Sequence, residues 1–178
     1  MNTPEDLFAL LRGLGVDYTE AAHPPFFTVE DGRAFKAAMP GGHSKNLFLK
    51  DKKGALFLVS ALDESVIDLN ALAKVLGAAR FSFGSPELLL DKLGVTPGAV
   101  TAFALIHDGA RDVRFVLDDG FFAHETIYFH PLRNNSTIAV RPAGLLRFLE
   151  AVGSAPVRVA FAPGAPPRLI DPAEQTPI

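Results

Sequence analysis

The chain has 178 residues, 48% of them hydrophobic and 21% charged, and a formal net charge of −3. That length and balance suit one soluble globular domain, and the acidic net charge excludes a chain that coats nucleic acid non-specifically while allowing a local basic patch. The absence of cysteine excludes disulfides, thiol catalysis and Cys-ligated zinc; no apolar run approaches the roughly 20 residues of a membrane span, and the acidic start MNTPEDLFALL is not a secretory signal, so a cytoplasmic protein without a membrane partner is expected.

Thr3-Pro4-Glu5-Asp6 reads as a helix start: a capping hydroxyl, a proline suited to the first position, and two acids at the positive end of the dipole. Leu7, Leu10, Leu11 and Leu14 follow at helical spacing, and Gly13 and Gly15 end the run. A short strand over residues 16–22 meets the turn His23-Pro24-Pro25. Thr28 is placed to cap a second helix over 29–38, stopped by Met39-Pro40-Gly41-Gly42. Apolar runs at 45–50 and 55–61 flank Asp51-Lys52-Lys53-Gly54, the pattern of a hairpin. Asp68 and Ser85 are placed to cap helices over 69–76 and 86–93. The glycine-rich loop 94–98 precedes two strands, 99–106 and 113–118, with a turn at Asp108-Gly109 between them. A second hairpin pairs 126–130 with 136–140, Pro142 opens a last helix to 152, and 157–161 is one more strand. The Pro-rich end APGAPPRLIDP reads as a surface tail. Interspersed helices and hairpin-linked strands predict an α+β fold, a single domain with a mixed, largely antiparallel sheet flanked by helices.

Two residues stand out by position. Strand periodicity puts Lys45 on the same face as Leu47 and Leu49. A lysine there either snorkels to water at a strand end or aims an ammonium into a cleft, where it holds a phosphate or polarises a carbonyl. His130 shares a face with Thr126 and Tyr128 and ends its strand at Pro131; it is either a structural histidine near a turn or a site residue. The loop Gly94-Val95-Thr96-Pro97-Gly98 is either a connector or a place where backbone approaches a ligand closely. It lacks the Lys-Ser/Thr of a phosphate loop. The five histidines show no HExxH spacing, so no metal or cofactor is expected. No GxSxG elbow supports a serine triad, and Asp118-Asp119-Gly120 reads as a solvated turn. His43 and Ser44 read as loop residues.

Four segments, "HPPFFTVEDG", "GGHSKNLFLKDKKGALFLV", "LGVTPGAVTAFAL" and "IYFHPLRNNSTIAV", lie in that order over residues 23–140. Together they resemble the aminoacyl-tRNA editing domains, the family of the bacterial YbaK protein and the insertion domain of bacterial prolyl-tRNA synthetase. The match is nearest to the ProX-type branch that hydrolyses alanyl-tRNA(Pro). Where that family usually has proline after "GxVT", this chain has Ala102. The resemblance implies an editing domain over 1–162 followed by a tail, 163–178. It implies the acceptor end of mischarged proline tRNA as substrate, with prolyl-tRNA synthetase or an elongation factor as transient partners. It implies that Lys45 is the essential lysine. Asn46, the loop residues Gly94, Thr96, Pro97 and Gly98, and His130, Ser136 and Thr137 are implied as substrate-binding residues. Cysteinyl-tRNA(Pro) is the alternative substrate within the family. A non-catalytic tRNA-binding module and a small-molecule hydrolase are the alternatives outside it. Lys50, Lys52, Lys53, Lys74 and Arg80 are either contacts to the nucleic-acid backbone or, as expected for most of them, a charged, solvated surface.

Overall fold

The computed structural model describes residues 1–25 and 29–174. Its first helix, α1 (Pro4–Gly13), begins at a reciprocal cap: the Asp6 amide donates to Thr3 Oγ1 at 3.2 Å, and the Thr3 amide donates to Asp6 Oδ2 at 2.8 Å. The chain then runs through β1 (Tyr18–Ala22), α2 (Val29–Ala37), β2 (Gly42–Asp51), β3 (Leu56–Leu62), α3 (Leu69–Val75), β4 (Phe81–Phe83) and α4 (Pro86–Leu93). A 3₁₀ helix, Ala102–His107, leads into β5 (Val113–Asp118), and a second, Asp119–Ala123, into β6 (Ile127–Phe129). The chain continues through β7 (Ser136–Val140), α5 (Pro142–Ala151), β8 (Val157–Ala160) and β9 (Arg168–Leu169). The cap expected at Thr28 lies outside the described residues. Those expected at Asp68 and Ser85 are formed: Asp68 Oδ1 accepts from the Asn70 and Ala71 amides, and Ser85 Oγ from Leu88.

The strands form one sheet in the order β1-β7-β6-β2-β3-β5-β8-β9, with β4 on β2. Among the described residues five pairings are antiparallel and three, β2·β6, β3·β5 and β5·β8, are parallel. The architecture is the expected α+β one. β2 is the long strand that joins the two halves. Its start pairs with β6 at Gly42↔Ile127 and His43↔Tyr128, and Ser44–Lys50 pair with β3. Its end pairs with β4. The edge of β2 between β6 and β4 is where the two halves part.

Alternation along these strands makes two cores. Phe48, Leu58 and Phe115 point to one face and pack with Leu7 and Leu11 of α1, Leu93 of α4 and Phe148 of α5. Leu49, Phe57, Val59 and Val116 point to the other and pack with Leu72 and Leu76 around α3. β3 is buried along its whole length because it serves both.

Four sequence expectations are corrected. Residues 99–106 do not form a strand: Thr101 Oγ1 accepts from the Phe103 amide at 3.3 Å and starts a 3₁₀ helix whose first four residues are buried. No hairpin crosses Asp108-Gly109; instead β5 runs parallel to β3. His43 and Ser44 are not in a loop, since β2 begins at Gly42. The C-terminal segment is not merely a surface tail: β9 pairs with β8, and Ile170 is buried with its amide bonded to Arg158 O at 3.0 Å.

Candidate functional site

Parallel pairing of β2 with β6 sets the register of the site. Two residues beyond the pair His43↔Tyr128 come Lys45 on one strand and His130 after the other. Paired residues point to the same side and side chains alternate, so Lys45 and His130 leave the sheet on the face of His43 and Tyr128. The shared face is visible in those two rings, which stack at 4.4 Å and 11°. α2 and the turn after it cover this face. His43 Nε2 donates to Met39 O at 2.7 Å, Tyr128 Oη donates to Pro40 O at 3.1 Å, and Phe35 lies 4.5 Å from the His23 ring.

Lys45 is half-buried, and its ammonium donates to Asp63 O at 3.0 Å and to Ser65 O. Both carbonyls belong to the loop that follows β3. Asp63 also holds α2 through its carboxylate, 2.6 Å from Lys36 Nζ. An ammonium has three donors; among the described residues two are spent on carbonyls, which fixes where the third can point.

His130 is half-buried and its Nδ1–H donates to Ser136 O at 2.9 Å. That bond leaves the lone pair of the neutral ring on Nε2. Burial pushes its pKa below the ordinary 6.5, His23 and Lys36 push the same way, and the Ser136 carbonyl opposes them. The His23 ring is 6.0 Å away; its Nδ1–H donates to Pro24 O at 2.9 Å, and its Nε2 is hydrogen-bonded to Thr137 Oγ1 at 3.0 Å. The His130 ring, the His23 ring and the Thr137 hydroxyl thus form one contact group on this face.

Of the residues singled out from sequence, Lys45, His130 and Thr137 share this face by register. Ser136 contributes its carbonyl; its hydroxyl is buried and accepts from Arg133 Nε at 3.0 Å, while Arg133 pairs with Glu20 at 2.6 Å. Asn46 lies on the opposite pleat, with Oδ1 accepting from Ser60 Oγ at 2.5 Å and Nδ2 donating to Ser44 Oγ at 3.2 Å. The 94–98 loop approaches through the turn after His130: a Cβ on Gly98 would stand 3.7 Å from Asn134 Nδ2. Thr96, Pro97 and Gly98 are exposed. Gly94 is the αL cap of α4, where a Cβ would strike the His107 ring at 2.8 Å. Sequence reasoning missed Lys36, Asp63 and Ser65, and it placed His23 only in a turn. Asp118, read as a solvated turn residue, is 2% exposed.

A family model described as the aminoacyl-tRNA editing domain matches residues 23–148, the span that holds His23, Lys45, His130 and Thr137. The chain belongs to the aminoacyl-tRNA editing domain family. It is 40% identical over 162 residues to the Xenopus laevis prolyl-tRNA synthetase associated domain-containing protein 1, covering 88% of this chain and 96% of that one. It is 30% identical over 155 residues to the prolyl-tRNA editing protein ProX of Acetoanaerobium sticklandii, covering 86% and 94%. Among solved structures it resembles the hypothetical protein APE2540, with a TM-score of 0.66 at 18% identity over 86% of this chain and 96% of the other. That last likeness is one of fold. No helix among the described residues is long and apolar enough to cross a membrane.

Proposed function

We propose that this protein is a trans-editing deacylase that hydrolyses the ester of proline tRNA mischarged with alanine, in the cytoplasm where translation draws on that tRNA. The observation that carries the reading is the placement of Lys45 and His130 level with each other on one face, under α2. An aminoacyl ester is an activated acyl group, so positioning and stabilisation of the tetrahedral oxyanion suffice for hydrolysis. Lys45 directs its remaining N–H at the developing oxyanion or the terminal phosphate. His130 Nε2 is a base for the attacking water or for a ribose hydroxyl that relays the proton. Thr137, oriented by His23, and the Gly94–Gly98 loop bound the amino-acid pocket, and Asn46 steadies β2 behind Lys45.

Specificity follows from size. A synthetase pocket shaped for proline rejects the smaller alanine weakly, because a missing methylene is worth only about 1–3 kcal/mol. A second, smaller site admits alanine and excludes proline. The tRNA body is held by cations: Lys50 pairs in register with Ser82, and the Lys52 amide bonds to Arg80 O at 3.1 Å, so the exposed Lys50, Lys52 and Arg80 come close together at the end of the β2–β4 ribbon. β2 spans the roughly 17 Å from Lys45 to Lys50, and alternation sets Lys50 on the opposite pleat from Lys45.

The deciding experiment is single-turnover deacylation of alanyl-, cysteinyl- and prolyl-tRNA(Pro) by the wild type and Lys45→Ala. The expected result is turnover of the alanyl ester, sparing of the prolyl ester, and a fall to the uncatalysed rate in Lys45→Ala with an unchanged circular dichroism spectrum. Preferred turnover of the cysteinyl ester would move the protein to the YbaK-type activity. Binding of the tRNA without hydrolysis would make it a non-catalytic module.

A further inference from the structure

Lys45 is aimed by two backbone carbonyls, Asp63 O and Ser65 O. A lysine side chain held this way is only as well placed as the loop that carries the carbonyls. That loop is short, follows β3 directly, and carries exposed side chains at Asp63, Glu64 and Val66, the last 85% exposed. Apolar packing therefore does little to hold it. Backbone bonds fix its start, the Asp63 amide to His43 O at 2.9 Å and the Ser65 amide to Leu62 O at 3.0 Å, and one buried carboxylate supplies the side-chain clasp. Asp118, at the end of β5, is 2% exposed. Its Oδ2 accepts from the Leu62 amide at 3.1 Å and from Ser65 Oγ at 2.7 Å, while Oδ1 accepts from the Gly120 amide at 2.8 Å. The two Oδ2 bonds clasp the loop at both ends, one residue before Asp63 and at Ser65 itself. The pairing β3·β5, with Ser60↔Leu117 as its last pair, is what brings Asp118 level with Leu62.

We infer that Asp118 is a positioning residue for the lysine of the editing site, acting through Ser65 and the 62–65 loop. The chain of contacts is continuous: Asp118 carboxylate to Ser65 hydroxyl and Leu62 amide, Ser65 and Asp63 carbonyls to the Lys45 ammonium. The same loop is anchored from the other side by the Lys36–Asp63 ion pair at 2.6 Å, which is solvated and therefore weak. The buried, charge-assisted bonds to Asp118 are the strong half of the clamp. Removing the carboxylate releases the Ser65 hydroxyl and the Leu62 amide, which loosens the Ser65 end of the loop while the Asp63 amide stays bonded to His43 O and β3, β5 and Lys45 itself remain. A displacement of about 1 Å at a catalytic group costs on the order of 100-fold in rate.

This inference rests on the deacylase reading, so its test has one arm that needs no activity. Asp118→Asn and Ser65→Ala are compared with the wild type in single-turnover deacylation of alanyl-tRNA(Pro), and the Lys45 side chain is followed by NMR of its Cε and Nζ groups. Ser65→Thr, which keeps the hydroxyl, is the rescue. The expected result is a loss of at least about tenfold in the rate constant for Asp118→Asn and Ser65→Ala, with the half-saturating enzyme concentration unchanged. Ser65→Thr should return the rate to near the wild-type value. The Lys45 signals should lose dispersion and gain mobility in Asp118→Asn and Ser65→Ala, and recover in Ser65→Thr. Wild-type protein that hydrolyses none of the esters sinks the deacylase reading, and the NMR arm then still decides the positioning. Lys45 signals that do not change in either Ser65→Ala or a folded Asp118→Asn overturn the inference, as does a rate loss that Ser65→Thr fails to restore.

Discussion

His130 shows how one contact decides what a side chain can do. Its Nδ1–H is committed to Ser136 O at 2.9 Å, and burial holds its pKa below 6.5, so near neutrality the ring is uncharged with Nε2 basic. The unfolded chain takes up this proton more readily than the folded one in the window just below pH 6.5. Stability from this group is therefore complete above pH 6.5 and lost as the pH falls toward the depressed value, with no further loss beneath it. The acid limb of the single-turnover rate should lie below pH 6.5 for the same reason. A pH series in urea and in deacylation checks both, and His130→Asn should flatten the first and remove the limb from the second. The face that Lys45 and His130 occupy is legible from period-two alternation alone. Which carbonyls aim Lys45 is not, because Asp118 lies 53 residues from Ser65 and no local pattern connects them. An Asp-Asp-Gly run carries the same residues whether it is a solvated turn or a buried clasp.

At the scale of elements, the caps at Thr3, Asp68 and Ser85 and the hairpins β2–β3 and β6–β7 are readable because their chemistry is local: each cap bonds within three residues. Residues 99–106 were not, because Ala102, Phe103, Ala104 and Leu105 are all within 1% of full burial. A segment buried on every side has no polar face to display a period, and a short apolar run then reads equally as strand or helix. The junction of β2 with β6 is where an element controls the site. Gly41, at φ 143°, precedes β2, and a Cβ there would stand 2.5 Å from Thr126 O and 2.8 Å from Tyr128 Cε2. Gly41→Ala must push β6 away from β2 at a cost of roughly 1–3 kcal/mol. It should also separate His130 from Lys45 and slow deacylation. Gly13→Ala, in α1 with nothing within 4 Å of the added atom, is the control and should leave the rate unchanged. Urea midpoints and single-turnover rates of the two variants test the difference.

At the scale of the molecule, β2 makes the site possible by belonging to both halves of the sheet. One end places Lys45 beside β6, and the other buries Leu49 among Phe57, Leu72 and Phe81, so the rigidity of the second core reaches the lysine along a few residues of strand. The C-terminal segment bears on that core from outside. β9 covers the edge of β8, Pro167 and Ile170 are buried, and Arg168 pairs with Glu174 at 3.0 Å. All groups placed in the site, including the 62–65 loop and Asp118, lie within residues 1–162. A chain ending at Ala162 is therefore expected to fold and to deacylate alanyl-tRNA(Pro) at the full-length rate. It should be less stable by about 1.5–3 kcal/mol for the lost burial of Ile170, and more prone to associate through the bared edge of β8. Urea unfolding, light scattering and the single-turnover rate of the truncated chain measure the three effects. A truncated chain that is folded but inactive would mean that the second core carries mechanical support from β9 through β8 to the lysine, and that the working domain extends past residue 162.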